Sequence, residues 1–370
     1  MKAVELTQEL VRMQTVNPVN PERPCAERVG KLLQEAGFAV SLHEFAPGRT
    51  SVVARREGPG PALCLAGHLD TVPLGAVPWK QEPFGGEISS GLLYGRGSSD
   101  MKSGIAAMVQ AAIELEDAIF KKAGLVLLLV AGEETGCEGA SHLARTPGAL
   151  GTAGAMIIGE PTGNVPVIGH KGALWLRART RGVTAHGSMP QMGDNAVIKA
   201  ARAVLALADW RFDAKPDSLL GGPTLNIGNF HGGLNINSVP DEAVIGIDIR
   251  TIPAVRHAEL RKAIQERLGP DVELTALVDL PGIRTSEDDA FVHAVSDAVS
   301  AATGERHAPA AATYFTDASV LTPAYGGIPT VVLGPGEMAL CHQTDEHCRV
   351  GRIEQAVAAY VEIARSWCGA

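Results

Sequence analysis

The chain has no CxxC cysteine pair, no block of lysine and arginine, no repeated or low-complexity tract and no apolar run long enough to cross a bilayer. Each absence excludes a class. A spanning helix needs about 20 apolar residues, and the longest candidate here, "AGLVLLLVAG", is far shorter and reads as a buried strand. A formal net charge of -9 without a clustered basic face argues against the nucleic-acid backbone as a ligand. The first residues, "MKAVELTQELVRMQTV", have helical apolar spacing broken by charges and lack a signal-peptide core. Cys25, Cys64, Cys137, Cys341, Cys348 and Cys368 show no regular spacing, so reduced thiols and a cytoplasmic location are expected. Cys341 and Cys348 flank a histidine segment, but structural zinc takes closed sets of four donors and no such set exists.

What is present is an ordinary globular composition, 45% hydrophobic and 20% charged, in 370 residues. A single core stops growing near about 250 to 300 residues, so two domains are expected. Helical and strand patterns alternate through the first half: helices near 4–14, 25–36, 103–117 and 139–145, and strands near 38–44, 51–56, 63–68, 125–131 and 155–158. Fully apolar strands imply a sheet covered on both faces. From about Gly172 the texture changes to "ALWLRART", a capped amphipathic helix, two alternating strands, a helix ended by Gly269 and "VELTALV". That order, βαββαβ, is a complete ferredoxin-like unit, and after Pro281 the first texture returns. The expected fold is α/β: a discontinuous domain over 1–172 and 282–370 with a mixed sheet covered by helices, and an inserted domain over 173–281. The connections near 172 and 281 would act as hinges.

Five segments place acidic or histidine side chains where strands should end: "GHLDTVP" (His68, Asp70), "GRGSSDMKSG" (Asp100), "AGEETG" (Glu133, Glu134), "IIGEPT" (Glu160) and "ALCHQTDEH" (His342). In open α/β sheets ligands bind beyond the carboxyl ends of the strands. A lone histidine after a strand is more often a satisfied structural imidazole, and a pair of glutamates is usually a solvated turn. As a set, buried acidic side chains would repel unless a cation neutralised them. Imidazoles and carboxylates without thiolates suit Zn²⁺, and also Mn²⁺ or Co²⁺. The phosphate-loop reading of "GRGSSDMKSG" fails because the GxxxxGK[ST] spacing is missing.

These five segments, in order and across nearly the whole chain, resemble those of the acetylornithine deacetylase, succinyl-diaminopimelate desuccinylase and glutamate carboxypeptidase family of two-zinc amidohydrolases. The resemblance implies a zinc-peptidase-like catalytic domain and an inserted dimerisation domain. It implies two Zn²⁺ per subunit: His68 and Glu160 on one, Glu134 and His342 on the other, Asp100 bridging. Glu133 would be the general base, with Asp70 orienting His68. Alternate residues on an extended segment point the same way, which would keep Asp70 close behind a ligating His68.

In the insert, the resemblance implies that His186 of "RGVTAHGSMP" reaches a neighbouring subunit's site to stabilise an oxyanion, and that Asn237 and Arg250 contact a substrate carboxylate. Thr316 and Asp317 of "YFTDASVL", with Gly334 and Gly336 of "LGPGE", resemble loops lining the substrate pocket. His170 and Lys171 have a substrate reading and an equal packing one. The expected activity is hydrolysis of the amide of an N-acyl amino acid, as a deacetylase or desuccinylase, in a homodimer. The alternative is cleavage of a short peptide by a glutamate carboxypeptidase-like or dipeptidase reaction. A scaffold that merely kept the fold is disfavoured, because each metal and catalytic position holds the expected residue type.

Overall fold

A computed structural model describes residues 2–369. In chain order the first stretch contains α1 (Ala3–Arg12), α2 (Arg23–Glu35), β1 (Ala39–Ala46), β2 (Arg49–Arg56), β3 (Gly60–His68), β4 (Ile88–Ser89), β5 (Leu92–Tyr94), α3 (Lys102–Glu114), β6 (Ala123–Val130), α4 (Glu138–Arg145), β7 (Ala153–Ile158) and β8 (Val167–His170). The middle stretch has β9 (Gly172–Arg181), α5 (Ala196–Ala208), β10 (Thr224–Gly232), β11 (Glu242–Thr251), α6 (His257–Leu268) and β12 (Val272–Leu280). The last holds β13 (Ile283–Arg284), α7 (Ala290–Thr303), β14 (Ala310–Ala312), α8 (Ala318–Ala324), β15 (Thr330–Val332), β16 (His347–Arg349) and α9 (Val350–Cys368).

The chain divides into two compact units, one comprising residues up to 169, 284–311 and 316 onward, the other 170–283 and 312–315. The short return at 312–315 has no signal in the sequence pattern. Its physical basis is Phe315, whose ring meets Trp175 edge-on with centroids 6.3 Å apart.

In the first unit a mixed sheet runs in the order β1-β2-β6-β3-β7-β15-β8-β13, with β14 paired to β8. Its centre, β6-β3-β7-β15, is parallel. Every residue of β6 is buried, as its unbroken apolar run requires of a strand covered on both faces. Leu125, Leu127 and Leu129 join the core formed with α1, α2, α3, α7 and α9. Val126, Leu128 and Val130 point to the other face and are at most 2% exposed. Burial of such side chains contributes about 1.5–3 kcal/mol each. Strands β16, β5 and β4 form a separate small antiparallel sheet.

The second unit is one antiparallel sheet in the order β10-β11-β9-β12 with two helices, the ferredoxin-like arrangement. Its core sets Leu174, Leu176 and Ala178 of β9 and alternate isoleucines of β11 against Ala196, Ala200, Ala203 and Leu207 of α5. The Asn195 side chain accepts the Ile198 N–H at 3.1 Å and so starts α5 where the sequence signal placed it.

Candidate metal centre

Strands β3, β6, β7 and β15 are parallel, so their carboxyl ends share one edge of the sheet. His68 closes β3, Glu133 and Glu134 follow β6, Glu160 follows β7, and His342 lies between β15 and β16. Asp100 occupies the turn before α3. Glycines make this convergence sterically feasible. A Cβ on Gly67 would stand 2.2 Å from Met101 Cε, so its absence lets the residue after Asp100 seat against β3. A Cβ on Gly104 would stand 2.1 Å from the Gly159 carbonyl oxygen, beside Glu160.

Asp100 is the junction of the cluster. Its Oδ1 lies 3.1 Å from His68 Nε2 and its Oδ2 lies 3.4 Å from His342 Nε2. Glu160 Oε1 is 3.5 Å from His68 Nε2, and Glu134 Oε2 is 3.2 Å from His342 Nε2. Ligand atoms of His68, Asp100 and Glu134 lie within 4.8 Å of one another, as do those of His68, Glu133 and Glu160, so each set can hold a metal ion. The His68 side chain is 1% exposed and that of His342 is 53% exposed, which leaves the cluster buried on one side and open on the other.

The electrostatics of this cluster are those of a site built for a cation. Burial pushes the Glu133 carboxyl well above its ordinary range, with Glu160, Asp317 and Glu134 adding to the rise. Burial likewise lifts Glu160 to about 8 and Asp317 to about 7. Glu134 is raised by burial and by Asp100. Hydrogen bonds to Asp100 and Glu134 raise His342 to about 10, while at His68 the pull of Glu160, Asp100 and Asp70 overrides burial and raises it as well. The two imidazoles thus act as stand-in cations for Asp100, which they hold well below the usual carboxylate range against its burial. Two imidazolium charges do not offset Asp100, Glu133, Glu134, Glu160 and Asp317 together. Divalent cations would remove the conflict by keeping the carboxylates ionised and the imidazoles neutral, which is the state in which both ligate.

Asp70 is fully buried, but the nearest acceptor to His68 Nδ1 is the Asp70 backbone carbonyl at 3.0 Å, with the carboxylate Oδ1 at 3.7 Å. The Asp70 carboxylate instead accepts the N–H groups of Glu133 and Glu134, each at 3.1 Å, and a hydrogen bond from Asn17 Nδ2. It therefore fixes the backbone of the loop that carries both glutamates. Sequence reasoning missed Asn17, and it missed Glu346, which binds the turn bearing Asp100. Oε1 of Glu346 accepts from the backbone of Gly97, Ser99 and Asp100 at 3.1, 2.9 and 3.0 Å. Burial pushes the Glu346 carboxyl up to about 7 against the pull of Arg96 and of these N–H groups. Asn17 looks like an ordinary polar loop residue, and within "ALCHQTDEH" nothing sets Glu346 apart from its neighbour Asp345.

Thr316 is fully buried and its Oγ1 accepts the Ala318 N–H at 3.1 Å, at the start of α8. Gly334 packs where a Cβ would stand 2.3 Å from the Gly159 carbonyl oxygen, and its own carbonyl accepts from Asn164 at 2.9 Å. In the second unit His186 is exposed, its Nδ1 facing Ser188 Oγ at 2.7 Å and the Ser188 N–H at 3.2 Å. The backbone donation fixes Nδ1 as an acceptor, so the neutral ring carries its proton on Nε2. Gly187 N–H donates to the Asn237 carbonyl at 2.7 Å, which binds the two segments to each other. Arg250 lies on β11 beside Asp248, 3.0 Å from Nε to Oδ1, with its guanidinium 6.0 Å from the Trp175 ring centroid.

The profile of peptidase family M20/M25/M40 matches residues 64–366, a span that includes every segment of this cluster. The chain belongs to this family. It is similar to the acetylornithine deacetylase of Vibrio cholerae serotype O1, 30% identical over 350 residues that cover 91% of this chain and 89% of that protein. It is 27% identical to a probable succinyl-diaminopimelate desuccinylase of Staphylococcus epidermidis, covering 98% and 97% of the two chains. Its fold matches that of an M20 family metallo-carboxypeptidase from Sulfolobus solfataricus with a TM-score of 0.82 at 17% identity, covering 100% and 99%. As a member of peptidase family M20 the chain is a metal-dependent hydrolase of amide bonds, with the catalytic α/β domain and inserted ferredoxin-like domain of that family. No helix among the described residues is long and apolar enough to cross a membrane.

Proposed function

We propose that this M20 enzyme hydrolyses the amide bond of an N-acyl amino acid, as a deacetylase or desuccinylase, using two divalent ions held beside Asp100. The observation that carries the reading is that the two oxygens of Asp100 reach the imidazoles of His68 and His342 from opposite sides of one carboxylate. That is the arrangement a bridging ligand needs. His68 and Glu160 would hold one ion and Glu134 and His342 the other. Zn²⁺ fits this nitrogen and oxygen set, and Co²⁺ or Mn²⁺ are also suited.

Bound there, the ions would supply Lewis acidity toward an amide carbonyl and bring the ionisation of an attacking water to near-neutral pH. The rest falls to the chain. Glu133, buried and beside His68 and Glu160, takes the proton of the attacking water and returns it to the leaving amine. Asp70 and Asn17 hold the loop from which Glu133 projects. His186, with its proton on Nε2, is a donor suited to a developing oxyanion, acting in the neighbouring subunit of a homodimer formed through the inserted domain. Arg250, with Asn237, would take the substrate carboxylate through its planar fork, and Thr316 and Gly334 would shape the pocket. The expected compartment is the cytoplasm.

The likeness to acetylornithine deacetylase over 91% of the chain supports an acylated amino acid over a peptide. The test is amine release from N-acetylornithine, N-succinyl-diaminopimelate, acetylated hydrophobic amino acids and simple dipeptides, with and without a chelator. Chelator-sensitive release from an acylated amino acid supports the reading. Turnover confined to dipeptides would replace it with the peptidase alternative.

A further inference from the structure

The turn that carries Asp100 is held from outside the cluster by a single buried side chain. Glu346 is fully buried, and its Oε1 gathers three N–H groups of one turn, those of Gly97, Ser99 and Asp100. Its Oε2 takes a hydrogen bond of 2.5 Å from Arg96 Nη1. Arg96 is itself 1% exposed, donates from Nη2 to the Pro73 carbonyl at 3.1 Å and lies 5.1 Å from the Trp79 ring centroid. Two further bonds reinforce the joint: Gly95 N–H donates to the Glu346 carbonyl at 2.9 Å, and the Ser99 hydroxyl donates to the His347 carbonyl at 2.8 Å.

Every group hydrogen-bonded to the Glu346 carboxylate is a donor, so the turn can keep this shape only around an acceptor with lone pairs to spare. The last N–H in the set belongs to Asp100, and Glu346 sits in the same short loop as His342. Asp100 and His342 are therefore tied twice, once side chain to side chain and once through Glu346.

We propose that Glu346 is a positioning residue of the metal centre: by gathering the N–H groups of Gly97, Ser99 and Asp100 it fixes the direction of the Asp100 carboxylate between His68 and His342, and so the pairing of the two ion sites. This rests on the two-ion reading above. Residues that orient a ligand in this way typically control about 10 to 100-fold in metal affinity or activity.

The experiment strips wild type and Glu346→Gln with a chelator, titrates each with Zn²⁺ alone by calorimetry, and records the melting of the metal-free proteins together with kcat and KM. Wild type should take two ions. Glu346→Gln should bind at least one of them about 10 to 100-fold more weakly and lose kcat with KM little changed. Glu346→Asp keeps the charge but moves the acceptor by one methylene, and it carries the test if the glutamine variant does not fold; a weaker loss in the same direction is expected. Unaltered zinc affinity in the folded variants, even with a lower melting temperature, would reduce Glu346 to a structural anchor and overturn the proposal. Failure of wild type to take two ions would instead remove the reading on which the proposal rests.

Discussion

Replacing Asp70 by asparagine separates two accounts of this residue. The carboxylate accepts the N–H groups of Glu133 and Glu134 and the Asn17 amide, while His68 Nδ1 already has the Asp70 backbone carbonyl at 3.0 Å. An amide in its place keeps one acceptor oxygen. Its NH2 is best accommodated on the Oδ2 side, where Asn17 can rotate to offer Oδ1, an atom without a hydrogen-bond partner in the native arrangement. The partly buried Glu134 N–H is then left unpaired, at a cost of about 1–3 kcal/mol. At about 2–4 °C per kcal/mol for a domain of this size, the metal-free melting temperature should fall by about 2–12 °C. Displacement of the Glu133 loop should lower kcat by about 10 to 100-fold. Zinc affinity, measured by calorimetry, should weaken by about 10-fold or more for one ion, through the displaced Glu134, and change little for the ion beside His68, whose partner is backbone and survives the substitution. A collapse of affinity for the ion beside His68 with an unchanged melting temperature would refute this and return the carboxylate to the task of orienting His68.

Glu133→Gln keeps the shape of the site but removes the proton acceptor, so turnover should drop by about 10² to 10⁴-fold with zinc content unchanged; near-native turnover would remove its role as base. Gly104→Ala should destabilise the metal-free protein even though alanine favours a helix by about 1 kcal/mol, because a Cβ 2.1 Å from the Gly159 carbonyl oxygen costs about 1–3 kcal/mol in overpacking. Weaker zinc binding through the adjacent Glu160 should accompany the lower melting temperature. His170 is fully buried, and burial lowers its pKa from 6.5 to about 4, so the unfolded chain binds the proton first. Its contribution is complete above pH 6.5 and is lost as pH falls toward 4, up to about 3 kcal/mol. Chemical unfolding of metal-free wild type and His170→Gln between pH 7 and 4.5 should show a shallower acid loss in the variant, and parallel curves would contradict the assignment.

Much of the cluster was legible because its members stand at strand ends. The apolar run of β3 stops at His68 and that of β7 just before Glu160, and parallel strands bring such ends to one edge whatever the loops do. The inserted unit was legible from the change of period at Gly172. Residues that act at long range were not. Glu346 meets Arg96 across 250 positions and Asn17 meets Asp70 across 53, distances at which no local pattern distinguishes a buried anchor from a solvated loop residue. Alternation placed His68 and Asp70 on one side of the strand, yet it could not choose between the backbone carbonyl and the carboxylate as the imidazole's partner. Strands β8, β13 and β14 were missed because segments of 4, 2 and 3 residues carry no periodicity.

Two divalent ions flanking the Asp100 carboxylate would be located most directly by diffraction. Crystals of the zinc-loaded protein, measured at the zinc absorption edge, should give two anomalous peaks flanking Asp100, one against His68 and Glu160 and the other against Glu134 and His342. A single peak, or none within ligating distance of Asp100, would contradict the account.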